Sequence, residues 1–143
     1  MRLQEYEEKG INLIQYKKKT LGKDTMSFGE RCGTILELVL HSGDHPLIID
    51  QPEEHLDSKF IAIRIVDIIR KQKINRQIII CTHNANIVVL GDSELVTVLS
   101  EDANGTCGVQ GSLENSNIRE KIYDVLEGGP EAFKKRELKY GFR

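Results

Sequence analysis

The chain has 143 residues, of which 39% are apolar and 29% charged, which suits one soluble domain with a core of its own. Lys plus Arg number 20 and Asp plus Glu 22, a net charge of −2 that excludes a strongly basic nucleic-acid domain but not a local basic patch. No apolar run reaches about 18 residues, so no membrane-spanning segment is expected, and no charged-then-apolar secretion leader opens the chain.

In chain order, Leu3 to Tyr6 and Ile11 to Tyr16 flank Glu8-Lys9-Gly10 and predict a short hairpin. Lys17-Lys18-Lys19 reads as a solvated face. Ser27-Phe28-Gly29-Glu30 has the form of a capping box, with Ser at the cap and Glu three residues on. Cys32, Ile35, Leu36, Val39 and Leu40 then recur at helical spacing, and Gly43 is a stop signal. A helix from Phe28 to His41 is predicted. Pro46 opens and Asp50 closes the apolar run Leu47-Ile48-Ile49, whose lack of alternation predicts a strand buried on both faces. After a loop from Gln51 to Leu56, Asp57 or Ser58 caps a second helix with Ile61, Ile65, Ile68 and Ile69 inward. Gln77 to Cys81 predicts another doubly buried strand, ending at Thr82-His83.

Asn84 to Leu90 reads as a short helix or turn, and Leu95 to Leu99 as a third strand. Asp102-Ala103-Asn104-Gly105 is a turn, with Thr106 to Gln110 returning as an edge strand. In the next helix Ile118, Ile122, Val125 and Leu126 share a face, and Gly128-Gly129 ends it. Pro130 suits the first position of a last helix, which Gly141 ends. The strand-helix-strand order predicts an α/β layer of parallel core strands flanked by helices. Cys32, Cys81 and Cys107 are odd in number and far apart, so free thiols in a reducing cytoplasm are expected rather than disulfides or a metal site. With 6% aromatics and no Trp, stacking platforms for single strands are sparse.

In open parallel sheets the chemistry lies beyond the carboxyl ends of the strands. Two polar clusters fall there, Asp50-Gln51-Pro52-Glu53 and Thr82-His83-Asn84. An acid closing an apolar strand is the residue type that holds Mg²⁺ in a nucleotide site, usually through water. A His at the end of a neighbouring strand can reach a terminal phosphate. Ser27 and Gly29 open a helix whose free N–H groups favour an anion, by about 0.3–1 kcal/mol when exposed, so that field assists and does not bind alone. Taken singly these residues have plainer readings: Ser27 and Asp57 as helix caps, Asp50 as a turn residue, His83 as a polar strand end, Glu53 and Glu54 as loop acids.

Together, Ser27-x-Gly29-Glu30, Leu47-Ile48-Ile49-Asp50, Leu56-Asp57 and Thr82-His83 resemble, in order and spacing, the motifs of ATP-binding-cassette ATPases, nearest the SMC, RecF and RecN-like branch. Met26 to Glu30 is similar to the signature motif, Pro46 to Asp50 to the Walker B strand, Leu56-Asp57 to the D-loop, and His83 to the switch histidine. Ile49-Asp50-Gln51-Pro52-Glu53, Thr82-His83-Asn84-Ala85-Asn86 and Leu126-Glu127-Gly128-Gly129 through Ala132-Phe133 resemble the C-terminal end of TrlF-type AAA-like ATPases. The likeness covers roughly residues 20–143. It implies that Asp50 holds Mg²⁺, that His83 senses the γ-phosphate, that Ser27, Gly29 and Glu30 form the signature facing an ATP on a second head, and that Asp57 communicates across that interface. A homodimer of heads sandwiching ATP, with DNA among the partners, no membrane association, and a cytoplasmic role in DNA repair or phage defence, follows from the same likeness.

Two departures stand out. The sequence holds no Gly-x-x-x-x-Gly-Lys-Ser/Thr, and Gly22-Lys23-Asp24 lacks the preceding glycines and the hydroxyl residue. Residues 1–143 are therefore expected to be a single partial domain, the C-terminal lobe of a head whose Walker A lobe lies on a longer chain or arrives in trans. Gln51 stands where the family has its catalytic Glu, and Gln is no general base. Either Gln51 orients the attacking water, as in some GTPases, or Glu53 supplies the carboxylate. The alternatives are an interaction module that clamps ATP without turnover and an inactive truncated fragment. Lys134-Lys135-Arg136 with Lys139 and Arg143 reads as a solvated face interrupted by Glu131 and Glu137.

Overall fold

The computed structural model describes residues 4–8, 11–16, 19–20, 26–102 and 105–141. Leu3, Lys9-Gly10, Lys17-Lys18, Gly22-Lys23-Asp24, Ala103-Asn104 and Arg143, all named above, lie outside the described residues. The chain divides into two compact units, 1–80 and 81–143.

The first unit opens with the expected hairpin. Strand β1 (Gln4–Glu8) pairs antiparallel with β2 (Ile11–Tyr16), and β3 (Lys19–Thr20) adds to β2. Helix α1 runs Phe28–His41, as the capping box and Gly43 predict. Its buried face matches only part of the apolar set read from the sequence: Leu40 is buried and Cys32 and Leu36 are half-buried. Gly33, Thr34, Glu37 and Leu40 point inward, whereas Ile35 is 50% and Val39 40% exposed. The cause is a partner that hydropathy does not show. Glu37, fully buried, takes a two-pronged ion pair from Arg64, 27 residues on, with Nε to Oε1 at 2.8 Å and Nη2 to Oε2 at 3.1 Å. Because that charge is matched and hydrogen-bonded, the helix can turn a carboxylate inward.

Strand β4 (Leu47–Asp50) pairs with β5 (Ile78–Cys81) in a two-stranded parallel sheet. Neither strand is buried on both faces, contrary to the expectation from their unbroken apolar runs. Burial alternates along each, leaving Ile48 72% and Ile79 46% exposed. Successive side chains of a strand point to opposite faces, and one face of this narrow sheet is uncovered. Between the strands, α2 (Ser58–Phe60) continues through a π-helical segment, Ile61–Ile65, into α3 (Val66–Gln72). Asp57 caps it, and Ile61, Ile65, Ile68 and Ile69 are buried, as the spacing predicts, together with Val66 and Leu40.

Arg76 closes the far end of α1. Its guanidinium donates to the carbonyls of Val39, Leu40 and Ser42 at 2.7–2.8 Å. Those carbonyls lie where a helix leaves acceptors unpaired and its dipole favours a cation.

The second unit begins at Cys81, the last residue of β5, and continues through a turn into a π-helical segment, Asn86–Leu90. Strand β6 (Val96–Asp102) then pairs antiparallel with β7 (Gly105–Gly111) as a sheet of their own. Helix α4 (Ser116–Glu127) lays Ile118 and Ile122 against Val98, with Leu126 beside them, while Val125 is exposed. Left-handed glycines close both last helices: Gly128 ends α4, and Gly141 ends α5 (Pro130–Tyr140), which has Pro130 in its first turn. Among the described residues, no helix is long and apolar enough to cross a membrane.

Two outcomes are expected. Arg76→Met removes three side-chain hydrogen bonds from the α1 end, leaving those of Ser42, and lowers unfolding free energy by about 2–3 kcal/mol in urea denaturation. The Lys71 ammonium, bonded to Asp67 at 2.7 Å, holds that carboxyl below its usual 3.8. A lowered acid pKa stabilises the fold above about pH 3.8 and ceases to do so as pH falls through the native value. Asp67→Asn therefore lowers the melting temperature slightly at pH 7, by an amount that shrinks as the pH falls below about 3.8.

Candidate functional site

Two helix beginnings meet in the first unit. At the first, the Ser27 hydroxyl accepts from the Glu30 N–H at 3.2 Å, and a Glu30 carboxylate oxygen accepts from the Ser27 N–H at 2.9 Å. This reciprocal capping box satisfies two N–H groups that the helix cannot pair internally. At the second, one Asp57 carboxylate oxygen accepts from the N–H groups of Lys59 and Phe60, at 2.9 and 3.1 Å. Between the two runs the loop that leaves β4.

That loop is tightly wound. Gln51 and His55 both take left-handed backbone conformations, with φ of 45° and 62°. Each costs about 1–3 kcal/mol for a residue with a side chain, so the surroundings must impose it. Short bonds from Glu54 N to the Gln51 carbonyl and from Leu56 N to the Glu53 carbonyl fold the loop back on itself. It then docks on α1. A Cβ at Gly29 would lie 2.6 Å from the His55 carbonyl oxygen, and one at Gly33 2.9 Å from the Phe60 ring. At Gly29, where the neighbour is backbone, only a residue without a side chain admits this approach, whereas at Gly33 the Phe60 ring could move aside. The His55 imidazole meets the Phe28 ring edge-on, centroids 4.8 Å apart.

The result is an open pocket of about 550 Å³, lined by Ser27, Gly29, Glu30, Gly33, His55, Leu56, Asp57 and Phe60. Ser27, Gly29, Glu30 and Asp57, singled out in the sequence as separate motif residues, share its wall. His55, Gly33 and Phe60, also in the wall, belong to none of those motifs. The four-residue spacing of Gly29 and Gly33, one helical face, was the available sign for Gly33; nothing in the sequence marks the close approach of the His55 carbonyl.

The remaining candidates stand elsewhere. Asp50 is the last residue of β4 and is exposed, as is Gln51. Glu53 is 7% exposed within the loop. His83, exposed, follows β5 in the second unit. Beside it the Thr82 hydroxyl accepts from the Asn84 N–H, and the Asn84 side chain from the Asn86 N–H, at 3.0 and 2.9 Å. Among the described residues, no three His, Cys, Asp or Glu gather into a metal cage. A single exposed carboxylate offers hard oxygen donors that suit a Mg²⁺ retaining most of its water and taking its other ligands from phosphates.

No family model matches the sequence, and no curated protein matches it. A solved structure does, from work on the ATP-driven dimerization and DNA-stimulated activation of SMC ATPases. It is 26% identical, superposes with a TM-score of 0.57, and the match covers 80% of this chain and 74% of that one. This chain resembles an SMC ATPase head at the coarse level. Its mixed α/β fold, with a parallel strand pair and flanking helices, is P-loop-ATPase-like in the same coarse sense.

Gly29→Ala drives a methyl group into the His55 carbonyl. The expected cost is about 1–3 kcal/mol of unfolding free energy, with displaced His55 and Phe28 ring resonances in NMR spectra. Unchanged His55 resonances would show that the loop is not held by this contact.

Proposed function

We propose that this chain is the signature-bearing lobe of an SMC-like ATPase head and that its pocket closes on the phosphates of an ATP gripped by a second head. The observation that carries the reading is the convergence of Ser27, Gly29, Glu30 and Asp57 on one wall. A phosphate is a competing acceptor for the N–H groups at the start of α1, one of which the Glu30 carboxylate now takes. Docking exchanges that internal anion for an external one, and the Ser27 hydroxyl, which only accepts within the capping box, donates to it. Asp57, already fixed by its two backbone bonds, presents its remaining oxygen to the facing head.

Asp50 is the residue that would hold Mg²⁺, which when bound neutralises phosphate charge and polarises the transferred group. Gln51 donates and accepts through its amide, so it can orient a water but take no proton from it. Glu53 is the buried one of the two carboxylates within the loop, Glu54 being exposed. By resemblance, His83 contacts the terminal phosphate. The P-loop is supplied by another segment, since residues 1–143 contain none. The likeness to a structure concerned with ATP-driven dimerization and DNA-stimulated activation supports a dimer of heads, with DNA as the partner that stimulates it. The finer assignment, to a TrlF-type ATPase of the cytoplasm working in DNA repair or phage defence, is supported by the phrases around Asp50, His83 and Gly128-Gly129.

The test is sedimentation of the head completed by its P-loop segment. MgATP is expected to drive dimerisation, and Asp50→Ala or Ser27→Arg to weaken it at least 100-fold. The Ser27 change also removes a cap worth about 1 kcal/mol, so its circular dichroism must remain native. Dimerisation unchanged in both variants overturns the reading.

Gln51 favours a second reading, a head that clamps ATP with slow turnover. Gln51→Glu is then expected to raise the ATPase rate of the completed head at least 10-fold. A fall would instead assign Gln51 to the working geometry.

A further inference from the structure

We propose that the buried Glu37–Arg64 pair sets the angle between the two helices that open onto the pocket, and so positions its phosphate-facing groups; the functional half of this rests on the reading above. Both helices start at the pocket wall and run together into the first unit. The pair joins them about two to three turns further along. Its geometry is directional. Nε and Nη2 of Arg64 reach the two oxygens of Glu37 at 2.8 and 3.1 Å, so both distance and rotation are specified. The same seam also carries the Gly33–Phe60 contact, and with it Leu40, Ile61 and Ile65, which specify volume but little direction.

Stability alone does not account for the pair. The Glu37 side chain is fully buried and that of Arg64 only 26% exposed. Two apolar side chains of similar size serve such a site as well or better, because the ions must be stripped of water. What an apolar pair does not supply is a fixed angle. Arg64 also sits inside the π-helical segment Ile61–Ile65, where the α pattern is interrupted, and such segments recur at functional sites. Glu37 and Arg64 touch neither the pocket nor its occupant; they act through the helices that bear Ser27, Gly29 and Asp57.

The deciding variant is E37M/R64M in the full chain, since Glu37→Ala alone leaves an unmatched charge and tests folding instead. It is expected to melt at or above the wild-type temperature. The His55 ring protons, displaced in wild type by the edge contact with Phe28, are expected to lose at least half of that displacement. In the completed head, dimerisation is expected to require at least 10-fold more MgATP, while a fluorescent ATP analogue binds the P-loop as tightly as before. A purely structural pair moves the melting temperature and neither other readout. Wild-type values of the His55 shift or of dimerisation in the folded double variant overturn the proposal. Should that variant not fold, Arg64→Lys, which keeps both charges but not the fork, is judged by the same limits. A wild-type head that ignores MgATP defeats the preceding reading instead, and the pair then stands or falls on the His55 shift.

Discussion

The shape of the pocket depends on a backbone carbonyl that occupies the place of a missing side chain. The His55 carbonyl lies where any side chain on Gly29 would have to go. Because nothing is there, the loop leaving β4 rests directly on the first turn of α1. Ser27 and Asp57, 30 positions apart in sequence, thereby line one pocket. A second bare position, Gly33, repeats the device one turn on, with the Phe60 ring filling the gap. The pocket is thus made by what two residues lack.

Holding that arrangement has energetic costs, and the structure shows where they are met. Two residues with side chains adopt left-handed backbone, and a carboxylate and a guanidinium are withdrawn from water. Against these stand the capped helix ends, the Arg76 clasp on the last turn of α1, and the apolar seam between α1 and α3. Such a balance is typical of functional surfaces, where strain is tolerated because the flanking elements are well determined.

Much of the architecture was legible from the sequence because its signals are local. The capping box and Gly43 bound α1, Asp57 marks the start of the next helix, and Gly128 and Gly141 mark the ends of the last two. What was not legible depends on distant partners. Ile35 reads as inward yet is exposed, while Glu37 is buried against Arg64, 27 residues beyond it. Ile48 and Ile79 read as core, yet burial in a strand depends on what covers each face, which composition does not record. The π-helical segments carry no hydropathy signature. Of the site, the identity of Ser27, Gly29, Glu30 and Asp57 could be read as motif residues. Their convergence, and the presence of His55 among them, required three-dimensional information.

The Arg76 clasp has a consequence for how the chain is made. The acceptors it satisfies, from Val39 to Ser42, leave the ribosome some 34 to 37 residues before it does. Throughout that interval α1 has its capped beginning but an unfinished end, and Glu37 waits on Arg64 in the same way. The helix that carries Ser27 and Gly29 therefore completes its set of bonds only after β4, the Asp57 helix and the turn before β5 have been synthesised. Every segment that lines the pocket, from Ser27 to Phe60, therefore precedes the residue that closes the far end of α1.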